Sequence, residues 1–564
     1  MTADTASRST ATSAPALPKR RGAELVMLLF ATAIVIAAQV ATDLTLKDEI
    51  DPNLIWYAVG FIGVWGVAHL VIRFTAPYAD PILLPSVALL NGIGLVMIRR
   101  LDFYEQSYAA SEGLPDPGAD ANPQIAWMIL GLILFSAILV VYRDHRTLGR
   151  FTYTLGAAGL VLLALPAILP EAIAPTINGA KIWIRVAGFS IQPGEFAKIC
   201  LLISFAGYLV AKRDVLSLAS RKVLGLELPR MRDLGPIVLV WIFSLIVLMA
   251  EKDLGSSLLF FGIFVALLYI ATEKFSWVVI GVGMFLLGAF LAYGWFDHVQ
   301  RRVEAWLDPF GSGDAGYQLR QALFGFGTGG IFGTGWGNGH PEKVPLPKSD
   351  FIVAALGEEL GLLGVIALLL LYVVIVERGF RISLLVRDSF GTLLAAGLAF
   401  SIALQVFVIV GGVTGLIPLT GLTTPFLSYG GSSLVANFAL IALLIRISDA
   451  ARRPAVRAET IGSVSEHTMA LAKVDAGKIG TQRPPKSRAA KSHLNAFLGD
   501  PAQELGPRAA GLDAVTPIAE PEPMPAPADT LSPSLPDTSA DSGSAHRSSS
   551  DSTSDDPTNE GGDR

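Results

Sequence analysis

Four short stretches of this chain concentrate the residues that could do chemistry. In the first, residues 179–198, basic and aromatic side chains alternate with apolar ones, as in a segment at a membrane interface. Pro193 suits the first turn of a helix on which Glu195 and Lys198 share one face. Because charge is costly at the mouth of a membrane helix, this pair is either a structural ion pair or part of a site for a charged ligand. The candidate binding residues here are Lys181, Trp183, Arg185, Glu195 and Lys198.

The second and third stretches bring carboxylates and glycines together. Residues 251–257 place three charges in a turn between two apolar runs, where Asp253 either caps the next helix or faces a ligand. The long segment 296–350 includes a glycine-rich run, 325–339, which permits close approach to a ligand or a bend at membrane depth. No strand precedes this run, so it matches no nucleotide-binding loop. The candidate residues of this segment are Asp308, Asp314, Tyr317, Lys343, Lys348 and Asp350.

The remaining candidates lie in or between predicted membrane helices. Glu358 and Glu359 are adjacent carboxylates in an apolar helix, where a functional role competes with a buried packing network. Residues 418–433 are too rich in proline, glycine and hydroxyl side chains for a plain helix. Such backbone is tolerated at membrane depth only where it is buried in protein or lines a wet cavity, so we predict a re-entrant segment beside a polar cavity. Its candidate binding residues are Ser428, Tyr429, Ser432 and Ser433.

Membrane helices must position these residues. Of the 564 residues, 52% are hydrophobic and only 16% are charged, against about a quarter in ordinary soluble domains. The single cysteine excludes an intrachain disulfide and a cysteine metal site. No nucleic acid partner is predicted. Apolar runs of roughly 20 residues are long enough to span a bilayer as helices and too long for barrel strands. The twelve predicted spans lie near residues 25–44, 54–73, 80–98, 124–142, 151–169, 195–211, 234–250, 256–272, 275–295, 351–376, 389–411 and 433–448.

Lysines and arginines in the short loops orient the chain. With the N-terminus in the cytoplasm, most of these cations fall on the cytoplasmic side, both termini are cytoplasmic, and all four stretches lie outside. Two arginine pairs, 99–100 and 301–302, are exceptions to this bias. The predicted parts are a disordered cytoplasmic N-terminus (1–24), two additional transmembrane helices (25–78), a transmembrane core (79–450) with a large extracytoplasmic loop (296–350), and a disordered cytoplasmic tail (451–564).

Taken in order, the motifs resemble those of the SEDS family (shape, elongation, division and sporulation; FtsW/RodA/SpoVE). The resemblance covers residues 80–450. Each motif alone is a weak signal, whereas the ordered set is very specific. The motifs are Trp-Ile and Gln-Pro-x-Glu-x-x-Lys within 183–198, Asp-Leu-Gly at 253–255, Gly-Tyr-Gln at 316–318, Gly-Gly-x-x-Gly-x-Gly at 329–335, Asp-Phe-Ile at 350–352, Glu-Glu-Leu-Gly at 358–361 and Ser-Tyr-Gly-Gly-Ser-Ser at 428–433.

The resemblance implies an all-α polytopic membrane protein, with a ten-helix core preceded here by two N-terminal helices and re-entrant outer segments. It implies a peptidoglycan glycosyltransferase that polymerises lipid II on the outer face of the cytoplasmic membrane, for cell elongation and shape or for division. The expected partners are a class B penicillin-binding protein, which supplies the transpeptidase, and other members of the elongation or division complex. No organic cofactor is expected. The alternatives are a lipid II flippase and a non-catalytic scaffold of a cell-wall complex.

Chain growth requires a carboxylate to take a proton from the attacking sugar hydroxyl. Positive groups, or a divalent cation such as Mg²⁺ or Mn²⁺, must stabilise the departing pyrophosphate. The family's essential aspartate precedes the Gly-Tyr-Gln motif, but the segment before Gly316 is about one residue shorter here. Asp314 and Asp308 are both candidates, and we favour Asp314 as the base. The predicted phosphate partners are Lys181, Arg185, Lys198, Lys343 and Lys348.

Two other positions depart from the family's pattern. The residue before the tryptophan of the first motif is Ile182, where the family often has an arginine. The usual Gln-Pro-Asp before Leu-Gly is Glu251-Lys252-Asp253 in this chain. Both departures change the charge next to a predicted binding residue, so the contacts of Trp183 and Asp253 need to be established from the structure.

Overall fold

A computed structural model describes residues 19–177, 180–186, 188–218, 220–223, 226–229 and 231–454. Residues 1–18 and 455–564, which make up most of the two segments predicted to be disordered, lie outside this described part.

The described residues form fourteen α-helices. They are α1 Arg21–Lys47, α2 Leu54–Thr75, α3 Leu83–Ser111, α4 Ala121–Val141, α5 Thr152–Ile168, α6 Pro193–Leu218, α7 Met231–Ala250, α8 Leu254–Thr272, α9 Ser276–Trp295, α10 Asp297–Leu307, α11 Tyr317–Gly329, α12 Ile352–Leu385, α13 Ser389–Val413 and α14 Gly431–Arg452. Three short 3₁₀ turns span His145–Phe151, Gly313–Gly316 and Pro341–Lys343.

Two short antiparallel hairpins interrupt the helices. Strands β1 (Ile184–Val186) and β2 (Phe189–Ile191) pair just before α6, with Ile184 opposite Ile191. Strands β3 (Ser220–Val223) and β4 (Leu226–Pro229) pair between α6 and α7.

The predicted polytopic membrane fold is confirmed. Eleven described helices are long and apolar enough to cross a membrane, and α7, with its apolar stretch Val238–Val247, matches the remaining predicted span. Two helices are longer than the predicted spans, since α3 continues to Ser111 and α12 continues to Leu385, and the predicted connecting segment 296–350 contains α10 and α11. The added turns are polar or amphipathic, so a search for apolar runs does not detect them.

The last two spans, together with α3, are the most buried spans of the described part of the chain. In the apolar windows of α14 and α13, 89% and 72% of the residues are buried, against 6% in α9, which is therefore lipid-facing along most of its length. The non-helical segment 414–430 connects α13 to α14, so a largely buried helix holds it at each end.

Helices α1 and α2 are tied to the core by polar contacts. Arg21 donates hydrogen bonds to Glu24 and to the Ala79 carbonyl, and the Glu24 carboxylate also contacts His69 Nδ1 at 2.7 Å. Glu24 and His69 are both buried, so the two additional helices carry a polar contact of their own. Whether the two helices are peripheral to the functional site stays a prediction.

A kink in α12 receives the glycine-rich loop. Gly361 has a φ of 69°, in the left-handed region that favours glycine, and it interrupts the helical backbone. The loop supplies hydrogen bonds across the break: Thr334 N–H donates to the Glu358 carbonyl at 3.0 Å, and Leu362 N–H donates to the Gly330 carbonyl at 2.9 Å. The glycines of the loop thus permit close approach to protein backbone.

Candidate active site

The predicted site residues gather on one side of the bundle. We call this the site side; α6, α8, α12 and α14 begin there, and α5, α7 and α13 end there. It also carries α10, α11 and the non-helical segment 414–430. On the opposite side, pairs such as Asp80 with Arg452 and His145 with Asp388 connect the helix ends.

A cavity of about 480 Å³ opens on the site side. Its walls are α10, the start of α11, the end of α13 and the re-entrant residues 419–422. The charged side chains that line it are Arg301, Arg302 and Asp350. Trp306 Nε1 donates a hydrogen bond to the Gly415 carbonyl at 2.8 Å, which fixes α10 against the segment that follows α13.

Arg302 and Asp350 form the polar wall of this cavity. Arg302 Nη1 donates to the Leu419 and Thr420 carbonyls, at 3.1 Å each. No carboxylate among the described residues lies within ion-pairing distance of Arg302, although Asp350 and Asp253 attract it electrostatically. Burial raises the pKa of Asp350 to about 6, and the charge of Arg302 opposes this shift. The cavity therefore offers a guanidinium with spare donors beside a carboxyl that titrates near neutrality.

Asp253 caps the start of helix α8, as one of the two predicted roles requires, and its carboxylate also attracts Arg302 electrostatically. Its Oδ1 accepts a hydrogen bond from Ser256 N–H at 2.9 Å, at the start of α8. Burial raises the pKa of Asp253, and the charge of Glu195 adds to the shift. Its neighbour Glu251 is buried as well, and burial raises the pKa of that carboxyl to about 8.

Glu195 and Lys198 are brought together as the helix face predicts. Lys198 Nζ donates to Glu195 Oε2 at 2.9 Å and to Gln405 Oε1 at 3.0 Å, and both charged residues are buried. Gln405 Nε2 in turn donates to the Thr423 carbonyl at 3.0 Å, so α6, α13 and the re-entrant segment are connected. A phosphate contact by Lys198 stays a prediction.

The hydroxyl motif holds the re-entrant segment in place. Ser428 Oγ donates to the Ser349 carbonyl at 2.6 Å and accepts from Thr424 N–H at 2.8 Å. Three further hydrogen bonds involve predicted residues. The Tyr429 N–H donates to the Lys348 carbonyl. Ser432 Oγ accepts from Gln192 N–H, and Ser433 Oγ accepts from Thr423 Oγ1. These hydrogen bonds fix the segment whose residues 419–422 form one wall of the cavity.

Lys348 lies inside a group of three carboxylates. Its Nζ donates to Asp102 at 2.7 Å, to Glu105 at 2.6 Å and to Asp120 at 2.9 Å. Burial opposes the charged amine, but the three carboxylates outweigh it and raise the pKa of Lys348.

The same three carboxylates are the one group of described residues whose geometry could hold a metal ion. Oxygen ligands suit Mg²⁺ or Mn²⁺, yet the ammonium group already occupies their centre. In this conformation the residues do not fit a divalent cation.

Glu358 and Glu359 have the contacts of a packing network. Glu358 Oε1 accepts from His340 N–H at 2.7 Å, and Glu359 Oε1 accepts from Arg100 Nε at 2.7 Å. Arg100 is itself buried and also bonds Glu342 at 2.8 Å. Both glutamates therefore anchor the glycine-rich loop, away from the cavity lined by Arg302.

The two candidate catalytic aspartates flank the turn between α10 and α11. Asp308 Oδ1 accepts from Gly311 N–H at 2.7 Å and so stabilises the turn. Asp314 lies in the 3₁₀ turn Gly313–Gly316, is exposed, and precedes α11, whose Gln318 and Leu319 line the cavity. Asp314 is thus in the connection between two walls of the cavity, with a carboxylate free to approach a substrate.

The other predicted cations are dispersed. Lys181 Nζ donates to the Leu169 carbonyl at 2.7 Å, Arg185 is exposed on β1, and Lys343 is exposed in its 3₁₀ turn. Trp183 is half-buried before β1, and Tyr317 is exposed at the start of α11. None of these five residues lines the cavity.

Sequence reasoning missed Arg302, Arg100 and Gln405 as site or support residues. A signal for the two arginines was available, since both are exceptions to the cytoplasmic bias of positive charge. Gln405 lies in an apolar helix without any motif, and only its contact with Lys198 reveals it.

Comparison with known proteins decides the family. A family model described as "Cell cycle protein", for FtsW, RodA and SpoVE, matches residues 81–453. The chain belongs to this family. The predicted SEDS resemblance is confirmed, and the relatives favour its RodA branch.

Among the relatives of this SEDS protein is "Peptidoglycan glycosyltransferase RodA" of Mycobacterium bovis, which is 52% identical over 78% of this chain and 93% of its own length. "Peptidoglycan glycosyltransferase RodA" of Mycobacterium leprae is 50% identical with the same coverage. "Stage V sporulation protein E" of Bacillus subtilis is 32% identical over 65% of this chain and 96% of its own length. A solved chain from "Structural coordination of polymerization and crosslinking by a peptidoglycan synthase complex" is 26% identical, with a TM-score of 0.51, over 66% of this chain and 97% of that one.

Proposed function

We propose that this protein, a glycosyltransferase like its named relatives, polymerises lipid II into glycan strands on the outer face of the cytoplasmic membrane. The observation that carries the proposal is the cavity lined by Arg302 and Asp350, next to the turn that carries Asp314. A polyprenyl pyrophosphate donor requires a site at the end of membrane helices, with a cation for the leaving group and a carboxylate for the incoming hydroxyl.

In this mechanism the acceptor sugar's 4-hydroxyl attacks the anomeric carbon of the donor. The bond from that carbon to the pyrophosphate oxygen breaks, and the hydroxyl proton passes to the Asp314 carboxylate. General-base help of this kind contributes about 10²–10⁴-fold. The spare donors of Arg302 stabilise the pyrophosphate as its charge develops, and Asp350 orients Arg302 within the cavity.

A divalent cation, if bound with the pyrophosphate, would add charge stabilisation at the leaving group. The acidic group around Lys348 is not assigned this role, because the ammonium satisfies its carboxylates. Every step above is therefore assigned to side chains of this chain.

We further propose that the site side is extracytoplasmic and that both termini are cytoplasmic. The opposite side carries the arginine-rich connections around residues 143–150 and 378–387, and positive charge favours the cytoplasm. The proposed partner is a class B penicillin-binding protein, since a related solved chain belongs to a peptidoglycan synthase complex. Such a partner would cross-link the strands that this protein makes.

The test is polymerisation of purified lipid II by the purified full chain, alone and with the penicillin-binding protein, read as glycan strands on a gel. We expect strands with wild-type protein and about 10²–10⁴-fold slower strand formation with Asp314→Asn at equal expression and partner binding. Transfer of labelled lipid II across a vesicle bilayer without strand formation would support a flippase instead. Strand formation that persists after both Asp308 and Asp314 have been replaced by asparagine would refute the mechanism.

A further inference from the structure

The turn that leads into α12 forms one wall of the cavity on the site side. Leu346, Asp350 and Phe351 of this turn line the cavity. The φ of Leu346 is 53°, in the left-handed region that residues with a side chain rarely adopt. Backbone preference alone therefore does not hold the turn in this shape. The place of Asp350 in the cavity depends on the contacts that the turn makes with the rest of the protein.

Lys348 lies in this turn, and its side chain is directed towards α3 and α4. It is 7% exposed, and the lining of the cavity does not include it. Its ammonium group bonds Asp102 and Glu105 on α3 and Asp120, the residue before α4. Three bonds to two helices fix both the position and the direction of the ammonium group, which a single ion pair would not do.

The backbone of the same turn holds the re-entrant segment. The Lys348 carbonyl accepts a hydrogen bond from Tyr429 N–H at 2.7 Å, and the next carbonyl accepts from the Ser428 hydroxyl at 2.6 Å. Arg302 donates to two carbonyls of that segment. The turn therefore carries Asp350 directly and supports the backbone to which Arg302 is bonded.

The charges around Lys348 favour a holding role over contact with the substrate. Each of its three N–H donors has a carboxylate acceptor, so none is left for a phosphate oxygen. The side chains of Glu105 and Asp120 are 42% and 40% exposed, so water stabilises the surplus negative charge. The side chain of Asp102 is only 4% exposed and depends on the ammonium group. Removal of the lysine would therefore leave Asp102 uncompensated and release the turn.

We propose that Lys348 is a positioning residue for glycosyl transfer, which fixes the turn and so sets the place of Asp350 beside Arg302. The inference rests on the proposed function, in which Asp350 orients Arg302 towards the pyrophosphate. Lys348 itself touches neither the substrate nor the reacting atoms. Its loss should therefore leave the groups of the cavity present but misplaced, and a misplacement of ~1 Å can slow a reaction about 10²-fold.

The first test compares kcat and KM for lipid II in the purified full chain and in Lys348→Met, which removes the charge and keeps a long side chain. We expect kcat to fall about tenfold or more and KM to change about twofold or less, because the substrate contacts are retained and their alignment is lost. The control Lys47→Met removes a partly exposed lysine that lies 3.7 Å from Asp51, and it should leave both constants unchanged. A Lys348→Met protein with the kcat of this control would overturn the proposal.

The second test measures hydrogen exchange of backbone amides in the full chain and does not depend on activity. In Lys348→Met, the amides of residues 349–351 and of Tyr429 should exchange about tenfold faster or more, since the turn and its bond to the re-entrant segment are released. The amides of α14 should exchange at the wild-type rate, because the change is local. Exchange that increases equally in α14 would show a general loss of stability and would overturn the proposal.

Glu105→Gln keeps both tests decisive if Lys348→Met does not fold. This variant weakens one of the three bonds at a partly exposed carboxylate, so it should fold and show smaller changes in kcat and exchange in the same direction. Wild-type kcat and exchange in Glu105→Gln would then overturn the proposal. Faster exchange with an unchanged kcat would reject the positioning role and leave the proposed function standing, whereas a wild-type protein that makes no strands would refute the proposed function itself.

Discussion

Arg100 and Arg302 both lie on the site side, and their surroundings differ. Arg100 is 3% exposed and bonded to Glu359, Glu342 and the Gly339 carbonyl, so all of its charge is matched by protein. Arg302 bonds two carbonyls and faces Asp350 across a cavity without a direct ion pair. A buried charge that is fully paired contributes to folding, whereas a charge with spare donors at a cavity is available to a ligand. The comparison therefore separates structural from functional charge among residues that the sequence presents alike.

The largest expected effect concerns Asp314, the exposed carboxylate on the turn beside the cavity. Asp314→Asn keeps size and hydrogen bonding but removes the base, so strand formation from lipid II should fall about 10²–10⁴-fold. Asp308→Asn should be milder, because Asp308 caps the turn through Gly311. An inactive 308 variant together with an active 314 variant would show that the base is Asp308.

Arg100→Gln tests whether the fully paired charge of Arg100 stabilises the fold. Removing one partner of a buried ion pair leaves the other charge uncompensated, and it typically costs about 3–5 kcal/mol. We expect a large drop in the melting temperature of the detergent-solubilised protein. Arg99→Gln is the matched control, because Arg99 is more exposed and such pairs contribute about 1 kcal/mol or less. Equal melting temperatures for the two variants would refute the assignment of Arg100 to structure.

Arg302→Gln tests whether the charge of Arg302 is used by the substrate. The variant should fold, since its lost contacts are two carbonyl bonds, while kcat/KM for lipid II should fall about 10–100-fold, the effect of one charged hydrogen bond. The control is Arg387→Gln, which removes an exposed arginine on the side of the bundle opposite the cavity. A variant of Arg302 that melts early but retains the wild-type kcat/KM would place Arg302 with Arg100 instead.

The smallest effect concerns pH and Asp350. A carboxyl whose pKa rises from 3.8 to about 6 on folding binds its proton more tightly in the folded state. Its ionisation therefore destabilises the fold above pH 6, and this penalty disappears as the pH falls below the unfolded value. Asp350→Asn should raise the free energy of unfolding by ~1–2 kcal/mol at pH 7.5, after allowance for partial exposure, with the gain shrinking towards pH 4.

Asp51→Asn provides a control of opposite sign for this pH series. The pKa of Asp51 is lowered on folding, so its charge stabilises the protein at neutral pH and this contribution is lost in acid. Melting curves at pH 4.5, 6 and 7.5 compare the two variants. A constant difference between Asp350→Asn and wild type across that range would contradict the inferred ionisation.

Much of this architecture follows from local sequence. Apolar runs predict the spans, Pro193 marks the start of α6, and the spacing of Glu195 and Lys198 predicts their ion pair. The pairing of Arg100 with Glu359, across 259 positions, cannot be predicted in this way, because it depends on how distant helices pack. For the same reason the sequence presents Glu358 and Asp350 as equal candidates, although only Asp350 lines the cavity.

The kink at Gly361 has a consequence for how the protein is made. The backbone groups that the kink leaves without helical partners are satisfied by residues 330–335, which precede α12 in the chain. During synthesis from the N-terminus, this loop leaves the ribosome before α12 does. The hydrogen-bond partners of the kink are therefore already synthesised when α12 enters the bilayer. An unsatisfied backbone group there would cost several kcal/mol, about 2 or more. Because residues 330–335 precede α12 in the chain, they can supply hydrogen bonds to the kink at Gly361 during membrane insertion.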